Sequence, residues 1–366
     1  MSVMSPTSAP LVQATSHVRI PPTMPYDVWC VVVACLDFFT LKSISVVNRD
    51  YHHEASKYLW KKYTLFIDSR FHGVWARRYL ENGCNILMKP ERAFRVQDLR
   101  IDIQASLGPE HDPAVERVFQ MVFAVLQRTK NLKSLTIKAA HYRFRIARAL
   151  SGLPFPFHLD RFATDLFCDE NLHGFWAAHP NMKHIELLGV DTDVPNLPAP
   201  LASLHTVHAT LAQQSVIVRG SPVTSVHLDG FWQGECRVIR DHLAASTAPS
   251  GILDLSMQIF DGSVTSTPYI DIITHLPRLR TLRVIHADIP DRDHRVAVME
   301  ALASLQDLEV FEWGGGSPAG QADIFAACSK RCRSLRRITF RWGNGNYFQR
   351  RFERESEEAG WGIVQG

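Results

Sequence analysis

The sequence lacks a long apolar run. Its apolar stretches, such as Cys30–Leu36, are much shorter than the roughly 20 residues that a helix needs to cross a bilayer. The first twenty residues also lack the basic start and the apolar segment of a secretory signal. We therefore expect neither a membrane-spanning segment nor secretion.

The chain also has little net charge. It carries 40 Lys and Arg against 37 Asp and Glu over 366 residues, a formal net charge of +3. Neither nucleic acid nor a membrane surface is therefore expected as a partner. Its seven cysteines are an odd number scattered through the chain, which suits a reducing compartment better than a disulfide framework. The expected location is the cytoplasm or the nucleus.

Motifs for phosphate binding and nucleophilic catalysis are missing. No G-x-x-x-x-G-K-[ST] loop occurs, and Ser317 is not in a G-x-S-x-G elbow because Ala319 stands where the second glycine would be. Gly314, Gly316 and Ala319 fit the spacing G-x-G-x-x-G/A, but no acidic residue for a ribose follows the next strand. A repeat loop is the favoured interpretation. An α/β enzyme with its site in Gly314–Gly320 remains a distant alternative.

The sequence offers no complete metal-binding motif either. Cys328 and Cys332 are four residues apart, but no second Cys/His pair lies nearby, which favours buried packing. The 17 histidines, including His205 and His208, follow no zinc spacing. We therefore predict no catalytic residue, no cofactor and no metal.

Four segments are expected along the chain. Residues 1–19 are rich in Ser, Thr and Pro and predict a disordered tail. Residues 20–65 predict three short helices, the first from Pro25, the second with Thr40 as N-cap and the third with Asp50 as N-cap. A strand–helix region at 66–345 and a C-terminal tail at 346–366 follow. The three helices are too small to be stable alone, so their apolar surface must be buried by the rest of the chain, by another protein, or by both.

A segment of the form L-x-x-L-x-L recurs after the helices. Each copy predicts a short strand with alternate residues inward. The copies from Val223 onward begin 29, 27, 29 and 27 residues apart, close to the period of leucine-rich repeats. Seven copies are clear, one further copy begins at Val96 and a weak one at Leu204; the clear copies begin at Leu132, Met182, Val223, Ile252, Leu279, Leu308 and Leu335.

Amphipathic helical stretches alternate with these strands. They are Ala114–Gln127, Tyr269–Leu276, His294–Leu305 and Ala322–Cys332. The pattern predicts an α/β fold, with a three-helix module followed by a curved, leucine-rich-repeat-like solenoid. The first copies are less regular, with intervals of 36 and 50 residues, which leaves open either insertions or a missed repeat.

Residues 20–65 resemble an F-box, the module that docks substrate receptors on the Skp adaptor of Skp–cullin–F-box ubiquitin ligases. The family's Leu-Pro opening reads Met-Pro here, its Val-Cys-Arg-x-Trp element reads VNRDY, and its closing Leu-Trp is present. An F-box followed by leucine-rich-like repeats is familiar among fungal F-box proteins, although these repeats lack the usual Asn. The resemblance implies that the adaptor-binding positions are Met24, Pro25, Val28, Val32, Leu36, Leu41, Val47, Tyr51, Leu59 and Trp60.

The resemblance implies a non-enzymatic substrate receptor whose partners are a Skp-type adaptor, through it a cullin, and an unidentified protein target. In the alternative interpretation, the protein is a repeat scaffold whose N-terminal helices only cap the solenoid.

The residue between the last two anchors of each repeat is expected to point into the binding face of the solenoid. These residues are Thr136, Glu186, His227, Ser256, Arg283, Glu312 and Thr339. The last repeat adds a basic cluster of Arg331, Arg333, Arg336, Arg337 and Arg341. The candidate target-binding residues are Glu186, His227, Arg283, Glu312, Arg337 and Arg341.

The basic cluster has two interpretations. Arginine forks suit carboxylate and phosphate groups, so an acidic or phosphorylated target segment is one hypothesis. The other is a solvated basic edge, partly balanced by the acidic residues that follow it, namely Glu353, Glu355, Glu357 and Glu358.

Overall fold

The computed structural model describes residues 25–109, 112–139, 141–166, 170–188, 197, 199–231, 235–259, 267–286, 292–314, 318–342, 348–356 and 360–364. Across these residues the fold is mixed α/β, with 13 α-helices and one open sheet of 13 strands. The chain divides into two compact units, residues 1–60 and residues 61–366. The division falls five residues before the expected one because the first strand begins at Lys62.

The first unit consists of three helices. They are α1 (Tyr26–Ala34), α2 (Phe38–Ile44) and α3 (Arg49–Leu59). The described part of this unit buries only three apolar side chains, those of Val33, Leu41 and Ala55. Five half-buried side chains pack around them, those of Trp29, Leu36, Ile44, Tyr58 and Leu59. The core of this unit is therefore very small.

The helix caps of the first unit differ from the predicted ones. Asp37, not Thr40, caps α2, because its carboxylate accepts hydrogen bonds from the backbone N–H groups of Phe39 and Thr40 at 2.9 and 3.0 Å. Asn48, not Asp50, caps α3 and accepts a hydrogen bond from the backbone N–H of Tyr51 at 2.8 Å. Both helices therefore begin earlier than the sequence suggested.

The second unit alternates strands with helices. Its strands are β1 (Lys62–Ile67), β2 (Asp98–Ile103), β3 (Ser134–Lys138), β4 (Arg161–Thr164), β5 (His184–Leu187), β6 (Thr206–Ala209), β7 (Ser225–Phe231), β8 (Asp254–Ile259), β9 (Thr281–His286), β10 (Val310–Gly314), β11 (Arg337–Trp342), β12 (Phe348–Glu353) and β13 (Gly362–Val364). Neighbours in sequence are neighbours in the sheet; β1 to β11 pair in parallel, and β12 and β13 are antiparallel.

The helices of the second unit connect successive strands. They are α4 (Gly73–Leu87), α5 (Pro90–Ala93), α6 (Pro113–Arg128), α7 (Arg143–Ser151), α8 (His173–Ala178), α9 (Leu211–Ile217), α10 (Cys236–Ala244), α11 (Thr267–Thr274), α12 (Arg292–Ser304) and α13 (Pro318–Arg331), with a short 3-10 helix at Glu170–Leu172. All four predicted helical stretches are confirmed, within a few residues. None of the described helices is long and apolar enough to cross a membrane.

One face of the sheet carries the core of the second unit. The strands pair in register, so the second anchors of successive repeats form one continuous row. In the last four repeats this row is Leu255, Leu282, Phe311 and Ile338, each at most 1% exposed. Parallel strands need such a covered face, because βαβ connections place helices against it.

All nine predicted strand segments contain an observed strand, and each strand begins at the third residue of its segment. The first anchor therefore lies just before the strand, where it is still buried. The sequence missed β1 and β4. It was also wrong about the C-terminal tail from residue 346, because β12 and β13 extend the sheet there.

Candidate functional site

The first unit exposes much apolar surface. In α1 the side chains of Val28, Val31 and Val32 are 47%, 64% and 37% exposed, and their spacing places them on one stripe of the helix. Eight large apolar residues of the described part of this unit are exposed, namely Tyr26, Val28, Val31, Val32, Phe38, Phe39, Val46 and Val47. This much exposed apolar surface on so small a unit is typical of a docking surface. We call these eight residues the apolar set.

The predicted adaptor-binding residues lie at three depths in this unit. Pro25, Val28, Val32 and Val47 are exposed, and Leu36, Tyr51, Leu59 and Trp60 are half-buried. Leu41 is only 5% exposed because it forms part of the small core, so its side chain is not available to a partner. Met24 lies outside the described residues.

Five members of the apolar set were not predicted, namely Tyr26, Val31, Phe38, Phe39 and Val46. Placing the N-cap of α2 at Thr40 hid the two phenylalanines, since they then fell in a loop. Asp37 immediately before an aromatic pair was the signal, because an Asp cap places those rings in the first turn of the helix, next to the cap.

A row of polar side chains crosses the other face of the sheet. Strand pairing places Glu186 beside His208, His208 beside His227, and His227 beside Ser256. The same register continues through Arg283 to Glu312 and Thr339. We call these seven residues the outer row. Thr136 lies in the same register two strands before Glu186.

The middle of the outer row lies in a groove of about 540 Å³ that runs across β4 to β9. Its polar lining includes Arg161, Glu186, His208, His227 and Arg283. The groove therefore offers side chains of both charges, and the imidazoles lie between them.

Two histidines share one carboxylate in this groove. Nε2 of His208 lies 2.5 Å from Oδ2 of Asp229, and Nε2 of His227 lies 3.2 Å from Oδ1 of the same residue. The centroids of the two imidazole rings are 4.0 Å apart. On the other side of His208, its Nδ1 lies 3.7 Å from Oε1 of Glu186, whose Oε2 is 2.7 Å from Nη2 of Arg161.

Asp229 is ionised at neutral pH. Partial burial raises the pKa of its carboxyl group, but hydrogen bonds from His208 and His227 lower it more, so the pKa lies below its ordinary range. Among the described residues, His208, His227 and Asp229 are also a group whose ligand atoms lie close enough to hold one metal ion, within 4.8 Å of one another.

The charged residues at the end of the outer row are paired within the chain. Glu312 is 8% exposed because Nε of Arg283 lies 3.4 Å and Nε of Arg341 lies 2.5 Å from its carboxylate oxygens. Nε of Arg337 donates to Glu353 at 2.8 Å. Glu312, Ser256 and Thr339 therefore lie in the predicted row but are buried, and of these three only Ser256 lines the groove.

No protein-family model matches the sequence, and no curated protein matches it significantly. The apolar set and the groove are therefore the features from which function is argued.

The glycine loop at residues 314–320 and the pair Cys328 and Cys332 are weaker candidates for a functional site. Gly314 ends β10, whereas residues 315–317 lie outside the described part, so the glycine loop is only partly described. Cys328 and Cys332 are both buried. A hydrogen bond with Cys332 and burial raise the pKa of the Cys328 thiol, which favours the protonated, unreactive form of Cys328.

Proposed function

We propose that this protein is a substrate-recognition subunit of a Skp–cullin–F-box ubiquitin ligase. Residues 25–60 act as the F-box and dock on a Skp-type adaptor. The second unit acts as a leucine-rich-repeat-like solenoid that holds the target. The observation that carries the proposal is the imbalance in the described part of the first unit, residues 25–60, where eight large apolar side chains are exposed and three are buried.

This imbalance favours a unit that docks on another protein over a unit that functions alone. Burying one Val or Phe side chain contributes roughly 1.5–3 kcal/mol, so covering even part of the apolar set would outweigh what three buried residues supply. The helices themselves are well formed, with side-chain caps on α2 and α3. The exposure is therefore a property of a folded unit.

The second unit suits target binding. Its strands follow one another in the sheet without crossing over, and its strand–helix period is that of leucine-rich repeats. Such repeats bind partners on the face that carries the outer row here. Arg161, Glu186 and Arg283 give that face charges of both signs, which supports specificity more than bulk affinity.

In this role the protein performs no chemistry of its own. It raises the effective concentration of a target lysine near the transfer machinery, which other subunits of the ligase supply. The intramolecular pairs of Arg337 and Arg341 favour the groove, rather than the basic edge, as the place where the target is held.

The test is binding of the purified full-length chain to a purified Skp-type adaptor. Val28→Glu places a charge on the exposed stripe of α1 and should weaken binding at least tenfold, about 1.4 kcal/mol. Val238→Glu is the matched control, because Val238 is also a helical valine, 45% exposed, but in α10 of the second unit.

Binding by the wild type and by Val238→Glu, with loss in Val28→Glu, would support the proposal. If the wild-type chain does not bind the adaptor at all, the proposal fails. The protein would then be better described as a repeat scaffold whose N-terminal helices cap the solenoid.

A further inference from the structure

We propose that His208, His227 and Asp229 form a binding site for a divalent transition-metal ion, and that Zn²⁺ fits it best. This inference does not depend on the ligase role. It concerns a group of side chains that the adaptor-binding surface does not use.

The sheet itself brings the three ligands together. His208 in β6 and His227 in β7 are directly opposite in the parallel ladder, so their side chains leave the same face side by side. Asp229 lies two residues after His227 in β7, which returns its side chain to that face. The ladder fixes the two histidines relative to each other, and Asp229 follows where the register of β7 against β8 shifts, between Leu228 and Phe231.

The distances suit a small tetrahedral ion. Zinc binds imidazole nitrogen and carboxylate oxygen at about 2.0–2.2 Å, so two of its ligand atoms lie about 3.3 Å apart. The separation of Nε2 of His227 and Oδ1 of Asp229 is 3.2 Å. The contact of Nε2 of His208 is with the other carboxylate oxygen, Oδ2, at 2.5 Å, and it must open by less than 1 Å for an ion held by both oxygens, a change within reach of a side-chain torsion.

The chemistry of the ligands also selects a transition metal. Two imidazoles with one carboxylate are a preferred set for zinc and its neighbours, whereas calcium and magnesium prefer oxygen ligands. The carboxylate of Asp229 supplies the anionic ligand that a divalent cation takes up together with two neutral imidazoles.

An outer carboxylate is positioned to orient one ligand. Glu186 lies on the Nδ1 side of His208, opposite the nitrogen that faces Asp229, and Arg161 fixes Glu186 at 2.7 Å. Histidines that bind metals commonly direct their other ring nitrogen towards such a carboxylate, which fixes the tautomer and raises the basicity of the ligand. Nδ1 of His208 lies 3.7 Å from Oε1 of Glu186, so a small movement of Glu186 would let it accept a hydrogen bond from Nδ1 and would leave the lone pair of Nε2 for the metal.

The site has an access route and an open position. The side chains of His227 and Asp229 are 34% and 35% exposed, and both histidines line the groove. Three protein ligands leave a fourth position for water or for a ligand from a bound partner.

The test uses the full-length chain after treatment with EDTA, dialysed against ZnCl₂. Wild-type protein should bind one equivalent of zinc. His208→Ala and Asp229→Ala should each weaken the affinity for zinc by at least 100-fold, which is more than the 10–100-fold typical of losing an outer partner. Glu186→Gln should weaken binding about tenfold, an effect that a purely structural role for Glu186 would not produce. His275→Ala is the control, because Nδ1 of His275 lies 3.8 Å from Oδ1 of Asp271, a single His–carboxylate pair.

A second measurement separates this site from the cysteines. CoCl₂ added to the stripped protein should give visible d–d bands without a thiolate-to-cobalt charge-transfer band. Circular dichroism checks that each variant is folded. Binding that persists in the His208→Ala/His227→Ala double variant, a thiolate band in the wild type, or no zinc bound by the wild type would each overturn the inference.

Discussion

His179 makes the second unit sensitive to acid. Its imidazole is 1% exposed and lies among the aromatic rings of Phe155, Phe157 and Phe175, at centroid distances of 5.3, 5.6 and 4.7 Å. Neither ring nitrogen has a hydrogen-bond partner among the described residues. Burial, with a smaller contribution from His158, lowers the pKa of His179 from 6.5 to about 4.

The direction of the effect follows from proton binding. The folded state binds fewer protons than the unfolded state between the two pKa values, so the stabilising effect is complete above pH 6.5 and is lost as the pH falls towards 4. Each pKa unit corresponds to about 1.4 kcal/mol, so the free energy of unfolding should fall by roughly 2 kcal/mol between pH 7 and pH 5 from this residue alone.

The assay is urea unfolding followed by tryptophan fluorescence at pH 7 and pH 5, for wild type and for His179→Phe. Phenylalanine keeps an aromatic ring in this cluster and has no group to protonate. The variant should therefore lose about 2 kcal/mol less than the wild type over this interval. The comparison also cancels other groups, such as His184 and His242, whose pKa values are lowered by burial as well.

Equal pH dependence in the two proteins would refute the reasoning, since it would mean that His179 is protonated without unfolding. The control is the value at pH 7, where the variant should be at least as stable as the wild type, because it no longer buries two unpaired nitrogen atoms.

Two further predictions concern buried hydrogen bonds. Tyr142→Phe should lower the free energy of unfolding by about 1–3 kcal/mol in urea titrations, because the buried hydroxyl accepts from the backbone N–H of Leu107 at 2.7 Å; no loss would mean that another acceptor replaces it. Arg354→Met should destabilise by roughly 2 kcal/mol or more, because its guanidinium donates to three carbonyl oxygens, those of Leu335, Cys332 and Arg333. Arg350→Met, at an exposed position of β12, is the control for this variant and should change little.

The strands were largely predictable from the sequence because their signal is repeated. Each anchor is buried on one face, so the pattern of two-residue alternation survives even where the repeat length varies. β4 was missed because its last anchor is Thr164, a polar residue that is nevertheless fully buried. With β4 included, the long interval between Leu132 and Met182 divides into two ordinary repeats that meet at Leu159.

The sequence pattern indicates only one member of the His208–His227–Asp229 group. It predicts that His227 lies on the binding face, whereas His208 belongs to the weak repeat that begins at Leu204. His208 and Asp229 are 21 residues apart, so no short sequence motif predicts the site. Strand register, which depends on long-range pairing, is what joins them.

The position of Leu41 shows another limit of sequence reasoning. A family pattern fixes which residues are apolar, but not which of them the unit uses for its own core. In a unit with so few residues to bury, that choice depends on how three short helices cross, and this is a property of tertiary packing.

The reversal of direction after β11 determines where the sheet stops growing. A run of parallel strands ends in a row of free backbone groups that a strand from another molecule could join. Here β12 turns back onto β11 with Arg350, Arg351 and Glu353 along its length, and β13 beyond it has only three residues. β12 and β13 therefore present a short edge beside a charged strand in place of a long template for polymerisation.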